Sequence, residues 1–535
     1  IGKRLKAAWI GETSQARIYD DAQDCASRFR SYCLANNLLD FSLQIDVFMQ
    51  HLWPDPLVQS HLKETYRNLI ADNIEEDTPA AHDLLSAWLP DLDSALLIYD
   101  QQAGYRSFLG ADPQTAYTLK ERCSQQVTFD FSFVTNPQME TLEAQLGSAF
   151  HRSSAIQKPP IKPAQSLLLF DDRRYYPEML DWVSSQVVQL VQGQGVSPGQ
   201  IAILAPFLSD ALRFSLAERL ERRGIAVRSQ RPSRALREEP AAVCMLTLAA
   251  LAHPDWGLRP SRFDTAYALV QAIEGMDLIR AQLLADIVYR SSSKGLRLSS
   301  FDKIIPDMQQ RITYSLGERY EQLRTWIEYY IQEEPAEIDH FFSRLFGEVL
   351  SQPGFRFHHD YASGEIAANL VDSAQSFRWT VECYPAEDCP PTGKEYLEMV
   401  QEGVIAAQYL RSWQAEDEDA VLLAPAFTFL MSNRPVEIQF WLDIASSGWF
   451  ERLDQPLTHP FVLSRHWPEG KPWTDVEETE ADLDTLYRLT LGLTRRCRGQ
   501  IYLGLSELSE QGYESQGQLL KAIQRILRAQ ANPAD

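Results

Sequence analysis

The stretch LLIYDQQAGYRSFLGA, residues 96–111, begins as an apolar run, reaches Asp100 and continues as a polar loop containing two glycines. Upstream, LIADNIEED (69–77) has the same form: an apolar run ends at Asp72 and then turns acidic. YRNLIADN reads as a helix running into a buried strand, and SALLIYD (94–100) as a second buried strand, with the helical pattern PAAHDLLSAWL (79–89) between them. Strand, helix, strand in that order predicts the parallel sheet of an α/β fold. An aspartate at the carboxyl end of such a strand is where nucleotide-hydrolysing sites place a magnesium ligand. It is also an ordinary strand-end cap, so Asp72 carries both readings.

The same order recurs downstream. The Pro-rich IQKPPIKPAQS (156–166) reads as a linker, after which come the helix YPEMLDWVSSQVVQLVQGQG, the strand QIAILAPF, the helix SDALRFSLAERLERRG and the strand IAVRS. From about 240 to 416 the pattern is helical, with RYEQLRTWIEYYIQ, EIDHFFSRLFGEVL and GKEYLEMVQEGVIAAQYLRSW. Strand character returns in AVLLAPA, VEIQFWLDI and GQIYLGL, with the helix DLDTLYRLTLGLTRR before the last. An α/β domain interrupted by a helical insertion is the simplest architecture.

A chain of 535 residues predicts roughly two to four domains. With 45% hydrophobic and 23% charged residues the composition is globular, and no apolar run approaches membrane-spanning length, so no membrane partner is expected. Seven cysteines without a CxxC pair predict reduced thiols in a cytoplasmic setting and no zinc or iron–sulfur framework. The start, IGKRLKAAWIG, lacks both an initiator Met and a signal-peptide core, which predicts a piece of a longer protein. The net charge of −23 argues against general polyanion binding. The arginine-rich stretch 213–237 leaves a local basic face open.

Taken together, LLDF (38–41), LIADNIEED, LLIYDQQAGYRSFLGA and LTRRCRGQIYL (493–503) form an ordered set. It resembles the part of UvrD/Rep-type superfamily 1 DNA helicases that follows their Walker A loop, and 96–111 resembles the family's motif III, GDxxQxIYxFxGA. The resemblance implies an α/β fold of RecA-like parallel-sheet motor domains with a mainly α-helical 2B-like insertion. Residues 1–155 would be the later part of the first RecA-like domain and 156–250 the first segment of the second. Residues 251–416 would be the 2B-like insertion and 417–535 the second segment. ATP and Mg2+ as cofactors, single-stranded DNA as partner, and DNA repair or recombination as the setting follow from the same resemblance. The location would be cytoplasmic, with the nucleoid if the source is bacterial.

Carried over residue by residue, the resemblance makes Asp72 the magnesium and catalytic aspartate. Asn73 stands where the family has the glutamate that activates water, and an amide cannot accept that proton. Asp100 matches the motif III aspartate, and the γ-phosphate-sensing glutamine falls on Ala103, or on Gln102 with a slip of one. Phe108 and Tyr105 become DNA-side candidates, Phe108 at a position that stacks on a base of the single strand. Glu437 persists from motif V, where Pro435 replaces a flexible glycine. Aligning IYL puts Arg496 at the γ-phosphate arginine of motif VI and Arg495 at the preceding threonine. FSFVTNPQ (131–138) has no counterpart of the motif IV arginine, and GxxxxGK[ST] is absent from the chain.

These losses imply that the chain alone does not hydrolyse ATP. They also favour an alternative, a catalytically inactive helicase-fold scaffold that binds DNA, a protein partner or a complementary subunit. A third reading is an unrelated two-domain α/β enzyme; it is separated from the others by whether Asp72, Asp100 and Arg496 face one cleft. Plainer readings stand beside each residue. Glu75, Glu76 and Asp77 would complement a helix N-terminus, and Phe108 would be a core aromatic. Arg495, Arg496 and Arg498 would favour a helix dipole, and the 213–237 arginines would pair with Glu218 and Glu221. His358 and His359 are adjacent without further ligands, so no metal site is assigned there.

Overall fold

In the computed structural model the apolar runs become strands: β1 (Asn68–Ala71), β2 (Ser94–Leu97), β3 (Leu168–Arg173), β4 (Ile201–Ala205), β5 (Val227–Ser229), β6 (Tyr289–Ser292), β7 (Gly295–Leu298), β8 (Val421–Pro425), β9 (Val436–Trp441) and β10 (Cys497–Ser506). The structure describes residues 2–8, 16–129, 131–150, 168–229, 236–292, 295–382, 391–405, 419–450 and 455–531. The linker 156–166, most of the acidic 415–419 and the second half of 393–413 lie outside these residues. The chain divides into two compact units, 1–231 with 416–535, and 232–415.

The first unit is built on a six-stranded sheet of order β3-β10-β9-β4-β8-β5, parallel throughout. β4 and β8 are buried along their whole length, which is why their sequences are continuously apolar instead of alternating. Ile201, Ile203, Ala205 and Phe440 pack with the helices Tyr176–Val188 and Asp210–Glu221 on one face. Ala202, Leu204, Ile501 and Leu503 pack with Pro137–Ala149, Asp475–Arg495 and Gln518–Ala531 on the other. A parallel sheet covered on both faces by helices is the RecA-like arrangement that the fold-class reading expected.

β1 and β2 form a separate two-stranded parallel sheet in the same unit. One face, with Leu69, Ala71, Leu97 and Tyr99, packs on Ile74, Leu85, Ala116 and Leu119. The opposite face carries Ile70 and Leu96, 74% and 53% exposed, together with the exposed Ile98. This corrects the reading of two buried strands. An apolar run of four or five residues reports a strand, but not how many of its faces are covered.

The second unit is helical, with fully buried Tyr320, Phe341, Phe342 and Tyr396 in its core. Asp339, itself buried, accepts two hydrogen bonds from the Arg378 guanidinium at 3.0 and 2.9 Å. An antiparallel hairpin, β6–β7, also lies in this unit and was not expected from the sequence. No helix among the described residues is long and apolar enough to cross a membrane.

Candidate nucleotide and DNA site

The turn after β1 and the loop after β2 are joined by two neighbouring glutamates. Glu76 accepts the backbone N–H groups of Gly104, Tyr105 and Arg106, each at 2.9 Å. Glu75, only 1% exposed, accepts the Asp100 N–H at 3.0 Å. Burial pushes the Glu75 carboxyl up to about 7, against the opposing effect of the Asp100 N–H. Gly104 sits at φ +96°, and a Cβ there would come within 2.4 Å of Pro113, so this loop needs glycine. Within the acidic end of LIADNIEED, Glu75 and Glu76 are therefore engaged with the backbone of the loop after β2. They hold one loop to another, a role hidden from sequence because the amides they bind lie 25 to 30 residues away.

Asp72 is exposed, and its carboxylate accepts the N–H of Asn73 at 2.9 Å. It shares no hydrogen bond or ion pair with Asp100, Arg495 or Arg496. Asn73 occupies the left-handed region at φ 54°, a conformation that asparagine tolerates better than glutamate does. Gln102 is also left-handed, at φ 69°.

The helix Asp475–Arg495 delivers two arginines to the loop after β2. Arg495 donates to the Gln101 carbonyl at 2.7 Å and to Gln102 Oε1 at 3.3 Å. It also pairs with Asp100 and with Glu143 of Pro137–Ala149, both at 3.3 Å. Burial works against its charge, but Glu143 and Asp100 outweigh that and hold its pKa above the usual value. Burial raises the Glu143 carboxyl, with Arg495 opposing. Arg496 donates to Asn433 Oδ1 at 2.9 Å and to the Gly492 carbonyl at 3.1 Å, and its guanidinium lies 5.6 Å from the centre of the Tyr105 ring. It acts on Asp100 through space only.

Counting back from IYL lands on Arg496, while the guanidinium that hydrogen-bonds Gln101 and Gln102 is that of Arg495. Just after these arginines β10 shifts register against β9, between Cys497 and Gln500.

Tyr105 is 7% exposed and packs beside Gly492, where an added Cβ would come within 2.6 Å of its hydroxyl. Its ring is thus turned inward. Phe108 lies on a tight turn, Ser107–Leu109, and is 36% exposed. Glu437 lies on β9 and pairs with Arg498 at 3.6 Å, apart from the Asp100–Arg495 junction. Of the arginines in 213–237, Arg219 pairs with Asp181 and Arg222 with Glu218. His358 donates from Nδ1 to the Ser351 carbonyl at 2.7 Å, and its ring packs edge-on against His359.

Two sequence-selected residues, Asp100 and Gln102, thus meet at Arg495, with the selected Arg496 beside them. Asp72 and Glu437 do not join the cluster. The residues present do not make a magnesium–ATP site by themselves: the phosphate loop is absent from the sequence, and Glu75 and Glu76 are spent on backbone amides. Among the described residues no group of three or more His, Cys, Asp and Glu side chains is arranged to hold a metal ion.

Comparison with known proteins gives a distant relation. The chain is 24% identical over 160 residues to the ATP-dependent DNA helicase UvrD2 of Mycobacterium bovis and to that of Mycobacterium tuberculosis. The match covers 28% of this chain and spans only 22% of the length of each relative. No family model matches the sequence.

Proposed function

We propose that this chain is a relative of the UvrD/Rep-type DNA helicases that engages single-stranded DNA, in repair or recombination, and does not by itself hydrolyse ATP. The observation that most supports this is the junction at Arg495. The stretch resembling motif VI meets the stretch resembling motif III there, although nearly four hundred residues separate them. In this reading Arg495 takes the phosphate-facing role first given to Arg496. ATP and Mg2+ enter only if a phosphate loop outside these residues completes the site. Asn73 in place of a carboxylate weighs against turnover even then.

A second reading, a helicase-fold scaffold for a protein partner, is favoured by the open apolar face of β1–β2. The test is DNA-stimulated ATP hydrolysis by the full-length protein, with single-strand binding measured in parallel at stated salt. Single-strand binding without turnover is the expected result. Turnover abolished by Arg495→Ala or Arg496→Ala would establish a working motor and overturn the catalytic part of the proposal. Absence of DNA binding would leave the scaffold.

A further inference from the structure

The hairpin β6–β7 sets Arg290 directly opposite Arg297 across its two strands. Residues opposed in this way share one face of the pair, and like charges placed so repel. The other face is taken up by packing: Leu296 and Leu298 are buried in the core of the second unit. Both arginines are exposed. The foot of the hairpin is tied down on three sides. Ser299 donates its N–H to the Val288 carbonyl at 2.8 Å, Tyr320 donates its hydroxyl to the Ser299 carbonyl at 2.7 Å, and Tyr289 donates its hydroxyl to the Pro260 carbonyl at 2.7 Å. Backbone register, not side-chain contact, therefore makes the two arginines neighbours.

No group of the chain neutralises them. Among the described residues neither arginine has a carboxylate partner: Arg290 donates from Nε to Ser299 Oγ at 3.3 Å, and Arg297 makes no side-chain hydrogen bond. Residues 287–301 contain no aspartate or glutamate. Elsewhere in the same unit arginines are paired, Arg280 with Asp277, Arg324 with Glu321, Arg344 with Glu333 and Arg378 with Asp339, at 2.7 to 3.2 Å. In a chain with 73 acidic and 50 basic side chains carboxylates are the abundant partner, so two opposed arginines without one are the exception. They make a set of charged donors that lacks its acceptor.

We propose that the exposed face of β6–β7 binds a phosphate group, clasped between the guanidinium groups of Arg290 and Arg297 beside the Ser299 hydroxyl. Opposed Cβ atoms in an antiparallel pair lie about 5 Å apart, which lets two guanidinium forks reach oxygens of one phosphate. Binding replaces a repulsion with two charge-assisted contacts, so ligand and hairpin stabilise each other. A phosphomonoester supplies the matching charge in a single group, and a nucleic-acid backbone supplies it in successive phosphodiesters. The site is separate from the Asp100–Arg495 junction and does not rest on it.

The test is hydrogen exchange of the whole chain at fixed pH, with inorganic phosphate, with a short single-stranded oligothymidylate, and with sodium chloride at matched ionic strength. Exchange of the Leu298 and Ser299 amides should slow about threefold or more in at least one of the first two, relative to chloride. Arg290→Gln and Arg297→Gln should each abolish that slowing. In chloride alone Arg297→Gln should exchange more slowly than the unaltered chain, because the repulsion is gone. Slowing by inorganic phosphate that the oligonucleotide does not reproduce assigns the site to a phosphomonoester. Slowing by the oligonucleotide at phosphate concentrations where the free ion has no effect assigns it to a nucleic-acid backbone; both outcomes support the site. No slowing beyond chloride, slowing retained in both variants, or faster exchange of Arg297→Gln in chloride overturns it. Oligonucleotide binding that leaves the hairpin amides unchanged removes this site while leaving the proposed single-strand binding in place.

Discussion

The two parallel sheets of the first unit obey different rules. In the large sheet β4 and β8 are buried end to end between two layers of helices. In the small one, β1 and β2 rest on helices with one face and leave Ile70, Leu96 and Ile98 open on the other. Parallel strands are ordinarily covered on both sides. The large sheet is therefore the stability core, while the small sheet is a platform whose value lies in the loops that leave it. Those loops carry Asp72, Glu75, Glu76 and Asp100, and they are held by hydrogen bonds to carboxylates where the large sheet is held by packing.

The contrast is sharpest under mutation. Phe440, fully buried in the large sheet, should cost about 3 to 5 kcal/mol as Phe440→Ala in chemical denaturation. If Ile70→Ala cost as much, the distinction between the sheets would fall.

The next effect is read by pH. Glu75 has its carboxyl raised from 4.5 to about 7 in the fold, so the folded state prefers the proton. Its contribution is most favourable below about 4.5, declines as pH rises toward about 7, and stays as a penalty above that. Glu75→Gln keeps an acceptor for the Asp100 N–H and removes the charge, so it should stabilise the protein above pH 7 by at most about 3 kcal/mol and flatten this part of the pH–stability curve. A curve unchanged by the substitution would place the loop's cost elsewhere.

Glu76→Ala strips three amides of their acceptor and should cost about 2 kcal/mol, with faster hydrogen exchange confined to Gly104, Tyr105 and Arg106. Exchange accelerated equally across β4 would show that the small sheet's loops and the large core are one cooperative element. Smallest of all, Ile70→Ser should change stability by less than about 0.5 kcal/mol and raise solubility, as expected for an exposed apolar side chain on an open sheet face.

How much of this the sequence disclosed depends on the range of each interaction. QIAILAPF and AVLLAPA read as strands and are strands, because a continuous apolar run is a local property; that both are buried end to end is a finding of the structure. The helix read in DLDTLYRLTLGLTRR was equally legible, but its first two turns, with the acidic Asp475, Glu477 and Glu478, were not part of that reading. The open face of β1–β2 was not, since covering a strand depends on other elements. The β6–β7 hairpin was missed because YRSSSKGLRL lacks a run of alternating apolar residues. In the candidate site, Asp100 and Gln102 were singled out through the resemblance of 96–111 to motif III. The grip of Glu76 and the contacts of Arg495 with Gln101 and Gln102 were not, because both join residues far apart in the chain.

Three convergent backbone amides at 104–106 form a cradle of the kind that captures a phosphate or carboxylate from solution. In this molecule the cradle is filled by a carboxylate on the same chain. A tethered occupant has an effective concentration far above that of any free anion in a cell, so a dissolved phosphate cannot compete for those amides. The loop that carries Phe108 is accordingly held in place by a carboxylate of its own chain, set by folding.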